Sequence, residues 1–287
     1  MASSPRIGGF VIFGNSRETL GDCLTSLLAV CDEVVAVDSD TADGSAELVE
    51  SRGVRRVNHT WRGFGAARAL AVSALGPCDY VFFLDADEYL ADGAAATFAA
   101  WRESAPTLPH YRMQRRDWAE IEGKRFLFRR ETRTRLIRRD CATWSDAMIV
   151  HEALPRRKSA VLETAIEHRF YRDGDELRQK QRFYALLWAL RAHRAGRRSP
   201  FGARVRQPLH WVRNALLKGA LWRGGLAASD LAWVVGEQHA LKYHFLDALH
   251  AGGFEECVST FARGDLSELF GLVRDAVDRF PSPRVKG

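Results

Sequence analysis

Two runs of apolar residues in this chain end in carboxylates. Asp85, Asp87 and Glu88 follow Tyr80-Val81-Phe82-Phe83-Leu84 in the string Leu84-Asp85-Ala86-Asp87-Glu88. Carboxylates at alternate positions can turn to one side and share a divalent cation. Mg²⁺ and Mn²⁺ take hard oxygen ligands and complete their shells with water and substrate phosphates. A cation held there acts as a Lewis acid on a departing diphosphate. On spacing alone, the same acidic pair also suits a solvated loop. Asp38 closes a second run, Glu33-Val34-Val35-Ala36-Val37, and opens Asp38-Ser39-Asp40-Thr41-Ala42-Asp43-Gly44-Ser45. A carboxylate in that place can accept hydrogen bonds from a nucleobase imide or a ribose hydroxyl. Asp40 and Asp43 equally suit caps of a following helix.

The elements that must position these groups are legible from periodicity. Gly9 to Phe13 reads as a buried strand ending at Gly14-Asn15, and Leu20, Leu24, Leu27 and Leu28 recur at helical spacing. Residues 33–38 form a second strand, 45–52 a short helix and 54–57 a third strand. The stripe of Ala66, Ala67, Leu70, Ala71 and Ala74 forms another helix, and 80–84 a fourth strand. Continuous apolar strands alternating with helices predict a mostly parallel sheet covered on both faces. Ligands of such sheets sit at the carboxyl ends of the strands, where Asn15, Asp38 and Asp85 all fall. Residues 106–150 are Arg-rich with interleaved aromatics, and 133–138 alternate like a strand. Beyond about residue 170 the pattern turns helical. Helices are expected over 177–193, 205–221, 229–249 and 265–280, with a Gly-rich link at Arg223-Gly224-Gly225.

Composition bounds the partners. The 287 residues carry a net charge of +6. Residues 1–100 hold 7 Lys+Arg against 14 Asp+Glu, and the remaining 187 hold 35 against 22. The acidic part suits a cation. The basic part suits phosphates, acidic lipid headgroups or nucleic acid, or is simply a solvated face. The five cysteines are scattered without a CxxC pair, which fits reduced thiols. Neither a membrane-spanning run nor a secretory signal is expected.

Between the two acidic strand ends lies Trp61-Arg62-Gly63-Phe64-Gly65-Ala66-Ala67-Arg68. With Asn15, Cys23-Leu24, the acidic loop from Val37 to Ser45 and Leu84 to Glu88, this order and spacing resembles family 2 glycosyltransferases. The later His151-Glu152 after Trp144, the Lys180 to Tyr184 stretch and Leu241-Lys242-Tyr243 are similar to the lipopolysaccharide-core β-glucosyltransferases. Ser16 stands where such relatives carry Glu, Asp40-Thr41 where they carry Gly-Ser, and Ala69 where Asn is common. Ala42 also departs from their pattern, so the identity of the donor stays open.

The resemblance implies an α/β GT-A fold with a Rossmann-like, mostly parallel sheet flanked by helices and a C-terminal helical extension. It divides the chain into a catalytic domain over 1–170 and a helical, basic region over 171–287 on the acceptor or membrane side. It implies an inverting hexosyltransferase that moves a sugar, glucose by the nearest resemblance, from a UDP-sugar to a hydroxyl of a lipid-linked or saccharide acceptor such as lipopolysaccharide core. Asn15, Asp38, Asp40, Arg68, Asp85, Ala86 and Asp87 then bind the donor, and Asp87 with Asp85 holds Mg²⁺ or Mn²⁺. Glu152 is the candidate base, with Glu88 and Asp146 as competitors. A base must reach the acceptor hydroxyl and be ionised at working pH. His151-Glu152-Ala153-Leu154-Pro155 is no zinc motif, since HExxH needs a second His.

A cytoplasmic location is expected, peripheral on the inner face of the inner membrane. Trp211, Leu216, Leu217, Leu221 and Trp222 interleave with Arg213, Lys218 and Arg223, which suits an interfacial helix at an anionic surface as well as core packing. Other readings are a polyprenyl-linked or small-molecule acceptor, a metal-dependent nucleotidyltransferase, and a basic nucleic-acid-binding protein. The nucleotidyltransferase reading wants a Gly-rich basic loop where Phe13-Gly14-Asn15-Ser16-Arg17 stands. Nucleic acid is not an expected partner, because no binding motif accompanies Arg112 to Arg139.

Overall fold

A computed structural model describes residues 4–145, 148, 154–171, 174–203 and 206–279. They form two compact units, Met1–Trp118 with Arg130–Phe170, and Ala119–Arg129 with Tyr171–Gly287. The elements in chain order are β1 (Ile7–Phe13), α1 (Arg17–Val30), β2 (Glu33–Asp38), α2 (Ser45–Ser51), β3 (Arg55–Asn58), α3 (Phe64–Ala74), β4 (Tyr80–Asp85), β5 (Glu88–Leu90) and α4 (Ala94–Glu103). Then come β6 (His110–Ile121), β7 (Lys124–Arg138), β8 (Ser159–Tyr171), α5 (Gly174–Arg194), α6 (Arg206–Trp211), α7 (Ala220–His250), α8 (Glu255–Arg263) and α9 (Leu266–Arg279).

The eight strands form one mixed sheet in the order β3-β2-β1-β4-β7-β6-β8-β5. β3, β2, β1 and β4 run parallel, as the apolar runs require. β1, β2 and β4 are buried almost throughout because helices cover both faces. One layer packs Leu20, Leu24 and Leu27 of α1 against Val11, Phe82 and Leu84, and the other packs Ala67 and Ala71 of α3 against Phe10, Val35 and Phe83. The register sets Asp38 opposite Phe13 and Asp85 opposite Ile12, so the two carboxylates flank the end of β1.

Past β4 the sheet turns antiparallel, which the apolar runs of the first ninety residues did not announce. The expected strand at 133–138 is the last part of the 15-residue β7. β6 alternates buried and exposed positions, and its exposed positions include Arg112 and Gln114. Its sequence therefore reads as a charged stretch although one face is packed. The expected onset of helix near residue 170 follows β8. β4 and β5 are joined by Ala86 and Asp87 alone, yet three strands separate them in the sheet. A link that short closes only if β4-β7-β6-β8-β5 curls round upon itself.

The second unit holds α5 to α9, packed through Leu186 and Leu190 of α5 and Leu231, Phe245 and Leu246 of α7. The helix expected over 205–221 is interrupted. After α6 come a π-helical turn at Val212–Leu217 and then Gly219 at φ 70, before α7 begins. The expected Gly-rich link is a kink inside α7, where Gly225 takes φ 63 and ψ −145, a conformation that side chains resist. Arg223 donates to the carbonyl oxygens of Leu127, Phe128 and Lys218, so it braces the fold. Among the described residues, no helix is long and apolar enough to cross a membrane.

The rings of His210 and His239 stack at 3.4 Å. Burial, the neighbouring His210, and the cations Lys242, Arg213 and Arg206 push His239 down to about 3. A histidine kept neutral in the fold and free to protonate when unfolded adds stability above its unfolded value of about 6.5. That stability fades as pH falls from there towards about 3. Melting curves between pH 7 and pH 4 should fall steeply for the natural chain and less steeply for His239→Gln. Equal slopes would contradict this assignment.

Candidate active site

The turn from β4 to β5 carries the acidic string, and a buried guanidinium holds both of its ends. Arg135, on β7, donates from Nη2 to Asp85 Oδ2 at 2.7 Å and to Glu88 Oε1 at 2.5 Å. Glu88 is fully buried, and its Oε2 accepts the backbone N–H of Asp85 at 3.1 Å. Arg115 of β6 adds a contact to Glu88 Oε1 at 3.3 Å. Against partial desolvation of a side chain that stays 41% exposed, Arg135, then Arg68 and Arg115, hold the Asp85 carboxyl well below the usual carboxylate range. Glu88 is thus committed to buried arginines and sits away from solvent, which removes it from the work of a base on an acceptor.

Asp87 points elsewhere. Its side chain is 30% exposed, and His168 Nε2 of β8 lies 3.4 Å from Oδ2. The other ring nitrogen, Nδ1, is 2.7 Å from Asp117, which is fully buried and also bound by Arg115 Nε at 2.8 Å. Burial would lower His168, but hydrogen bonds to Asp117 and Asp87 raise it to about 9. The Asp87 carbonyl accepts the Arg169 N–H at 3.0 Å, which ties the turn to β8. Arg115, Asp117, Arg135 and His168 were not singled out in the sequence. The alternation of β6 was the one signal for the first two, because it sets Arg115 and Asp117 on one face.

At the end of β2, Asp38 is buried, accepts the Thr41 N–H at 3.0 Å and pairs with Arg56 at 2.9 Å. Asn15 accepts the Ala42 N–H at 2.9 Å, so the loop after β1 holds the loop after β2. Asp40 is exposed with φ 58. Asp43 serves as a cap: its carboxylate accepts the N–H and hydroxyl of Ser45 and the N–H of Arg17 at the start of α1. Against slight burial, those hydrogen bonds hold its carboxyl below the usual range.

Arg68 comes from α3. Its Nη2 lies 3.6 Å from Asp85 Oδ1, and its guanidinium stands over the rings of Phe83, Trp144 and Phe64. Trp61 meets Phe64 edge-on at 4.7 Å. Gly65 is required by space: a Cβ there would lie 2.4 Å from the Met148 carbonyl and 2.5 Å from that of Ser145. Arg68 and Arg135 also line a cavity of about 810 Å³ over β4, β7 and β6. Asn15, Asp38, Arg68, Asp85, Ala86 and Asp87 therefore gather at one edge of the parallel strands, with Asp40 on the loop beside them. Glu152, His151 and Asp146 lie outside the described residues.

A mixed α/β sheet flanked by helices, with acidic strand ends gathered about β1 and β4, is the GT-A arrangement. The chain belongs to glycosyl transferase family 2, whose model matches residues 10–163, and it is a glycosyltransferase. The lipopolysaccharide core biosynthesis glycosyltransferase LpsC of Rhizobium meliloti (strain 1021) is 28% identical over 229 residues, covering 77% of this chain and 84% of that protein. An uncharacterized glycosyltransferase of Rickettsia conorii is 32% identical over 85 residues, 30% of each chain. Among solved structures, S. aureus TarS 1-349 aligns over 97% of this chain and 93% of its own with 14% identity and a TM-score of 0.43.

Removing one partner of a buried ion pair leaves an uncompensated charge and costs about 3–5 kcal/mol. Arg135→Ala should destabilise by about that amount in urea unfolding. Arg135→Lys should recover only part, because an ammonium lacks the planar fork. A loss below about 1 kcal/mol in Arg135→Ala would show that the clamp is not structural.

Proposed function

We propose that the chain transfers a sugar with inversion from a UDP-sugar to a hydroxyl of a lipid-linked or saccharide acceptor of the lipopolysaccharide-core kind. The observation that carries this reading is one turn with two carboxylates in different company: Asp85 is held by Arg135 and Arg68, Asp87 is held by His168, and each side chain stays partly exposed, 41% and 30%. In a family 2 chain, that turn is where a nucleoside diphosphate and its cation belong. Asp38, fixed by Thr41 and Arg56, still has lone pairs for a base or ribose. Arg68 and Arg135, both on Asp85, would stabilise the charge that develops on a leaving diphosphate bound at this turn.

Mg²⁺ or Mn²⁺ fits this turn. Asp87 offers the hard oxygen ligand, with its carboxylate oriented by His168 and Asp117 behind it. Asp85, held by two guanidiniums, is the poorer ligand and serves to place Arg135 and Arg68. Among the described residues, no three His, Cys, Asp or Glu side chains converge on a common point. The remaining ligands would be diphosphate oxygens and water. The bound cation would supply Lewis-acid neutralisation of the leaving group. Glu152 remains the candidate base. Glucose and the core-type acceptor rest on the resemblance and on the name of the 28%-identical relative.

The acceptor end of this reading is a membrane surface. In the second unit, Phe201, Leu209, Leu217, Trp222 and Leu226 are 62–109% exposed, among the exposed cations Arg197, Arg198, Arg206 and Arg213. Apolar tips amid cations suit an anionic bilayer surface.

UDP with Mn²⁺ should raise the melting temperature, and Asp87→Ala should abolish the rise. A rise that survives the substitution removes Asp87 from the site, and no rise with any nucleoside diphosphate removes the reading. Trp222→Asp with Leu217→Asp should release the chain from phosphatidylglycerol vesicles in sedimentation. Unchanged sedimentation would place the contact elsewhere.

A further inference from the structure

Arginines crowd the cavity beside Asp85 well beyond what the acidic turn uses. Arg68, Arg115 and Arg135 are engaged with Asp85, Glu88 and Asp117. Arg112, Arg133, Arg156 and Arg157 line the rest of the same space. Arg133 pairs with Glu131. Arg112, Arg156 and Arg157 have no hydrogen-bond or ion-pair partner among the described residues. No Asp or Glu stands among the described residues that line the cavity. His110 lines it too and is nearly buried, with its Nε2 unbonded among the described residues. Burial, then Arg157, pushes that imidazole below its ordinary value, as a cationic cavity requires.

Like charges gathered in one concavity repel, and the repulsion is relieved when an anion enters. Guanidinium pairs with phosphate or carboxylate in a two-pronged geometry that an ammonium cannot match. The volume of about 810 Å³ lies within the range of small-molecule sites. The other lining groups are hydroxyls, Thr132, Thr134 and Ser159, and the rings of Phe83 and Trp144. A bare phosphate has no use for rings and hydroxyls, and a neutral sugar has no use for unpaired arginines. A sugar that carries an anionic group uses both.

The position separates this ligand from the nucleoside. No lining residue comes from β1, β2, β3 or the loops that follow β1 and β2. Asp38 and Asn15 lie on the β1–β2 side of β4, and the cavity lies on the β7–β6 side. Asp85 stands between the two and touches both Arg68 and Arg135 of the lining. We infer that this cavity is the acceptor subsite and that it takes a saccharide bearing a phosphate or carboxylate. The word acceptor rests on the transferase reading above, whereas the anionic-sugar specificity stands on the cavity itself.

Calorimetry tests it on the full chain with UDP and Mn²⁺ saturating, so that the nucleotide side is filled. The probes are mannose 6-phosphate, galacturonate, mannose and inorganic phosphate. At least one of the two anionic sugars should bind roughly tenfold or more tightly than mannose and than inorganic phosphate. The variant carrying Arg112→Ala, Arg156→Ala and Arg157→Ala should weaken that binding roughly tenfold or more while acceptor-independent hydrolysis of UDP-glucose stays within about twofold. If the triple variant does not fold, Arg112→Gln with Arg157→Gln replaces it under the same criterion. Equal binding of mannose, equal binding of inorganic phosphate, or binding untouched by the substitutions overturns the inference. Absence of UDP-glucose hydrolysis in the natural chain overturns the transferase reading instead, and leaves the binding result to stand by itself.

Discussion

Ala86 and Asp87 join the centre of the sheet to its far edge, and that short link constrains the whole first unit. β4 lies beside β1, while β5 lies beyond three intervening strands, beside β8. The intervening strands must curl for two residues to bridge the gap. The curl turns Arg115 and Asp117 of β6, Arg135 of β7 and His168 of β8 in towards one place. Arg135 then fastens Asp85 on one side of the link to Glu88 on the other. The geometry of the acidic turn follows from closing the sheet.

The same closure separates the two aspartates by chemistry. Asp85 faces guanidiniums and stays charged, with its negative charge already answered. Asp87 faces a histidine that leans on a buried aspartate, and both Asp85 and Asp87 keep an edge towards solvent. On the proposed reading, one aspartate would arrange the cations that receive a diphosphate, and the other would offer an oxygen to a metal. Two carboxylates two residues apart thus acquire different work from their surroundings. The buried arginine pairs bring little net stability by themselves, since desolvation offsets most of their attraction. Their value lies in fixing positions.

The parallel half of this arrangement was legible in the sequence because its strands are buried on both faces and read as unbroken apolar runs. Asn15, Asp38 and Asp85 could be placed at strand ends for that reason. The antiparallel half was not. β6 alternates buried and exposed positions, β7 sets two short buried runs between charged residues, and arginines recur among the partly or fully exposed positions of both, so two long strands read as a charged stretch. Arg135 was hidden within an ordinary alternating segment, since only the fold reveals that its face is the closed side of the curl. Glu88 read as a competing candidate base, because burial cannot be seen from a string of carboxylates. The kink at Gly225 falls within the Gly-rich link the sequence announced, whereas the break at Gly219 interrupts a stretch read as one helix over 205–221.

The proposed site requires that Asp87, and not Asp85, present an oxygen to the cation of a bound nucleoside diphosphate. The most direct measurement is an anomalous difference map from crystals grown with UDP and Mn²⁺. A single manganese peak within about 2.0–2.4 Å of an Asp87 oxygen and of the diphosphate, with Asp85 still on Arg135, is the result the account requires. A manganese peak coordinated by Asp85 with its arginine bonds broken, or a diphosphate lying away from this turn, would contradict it.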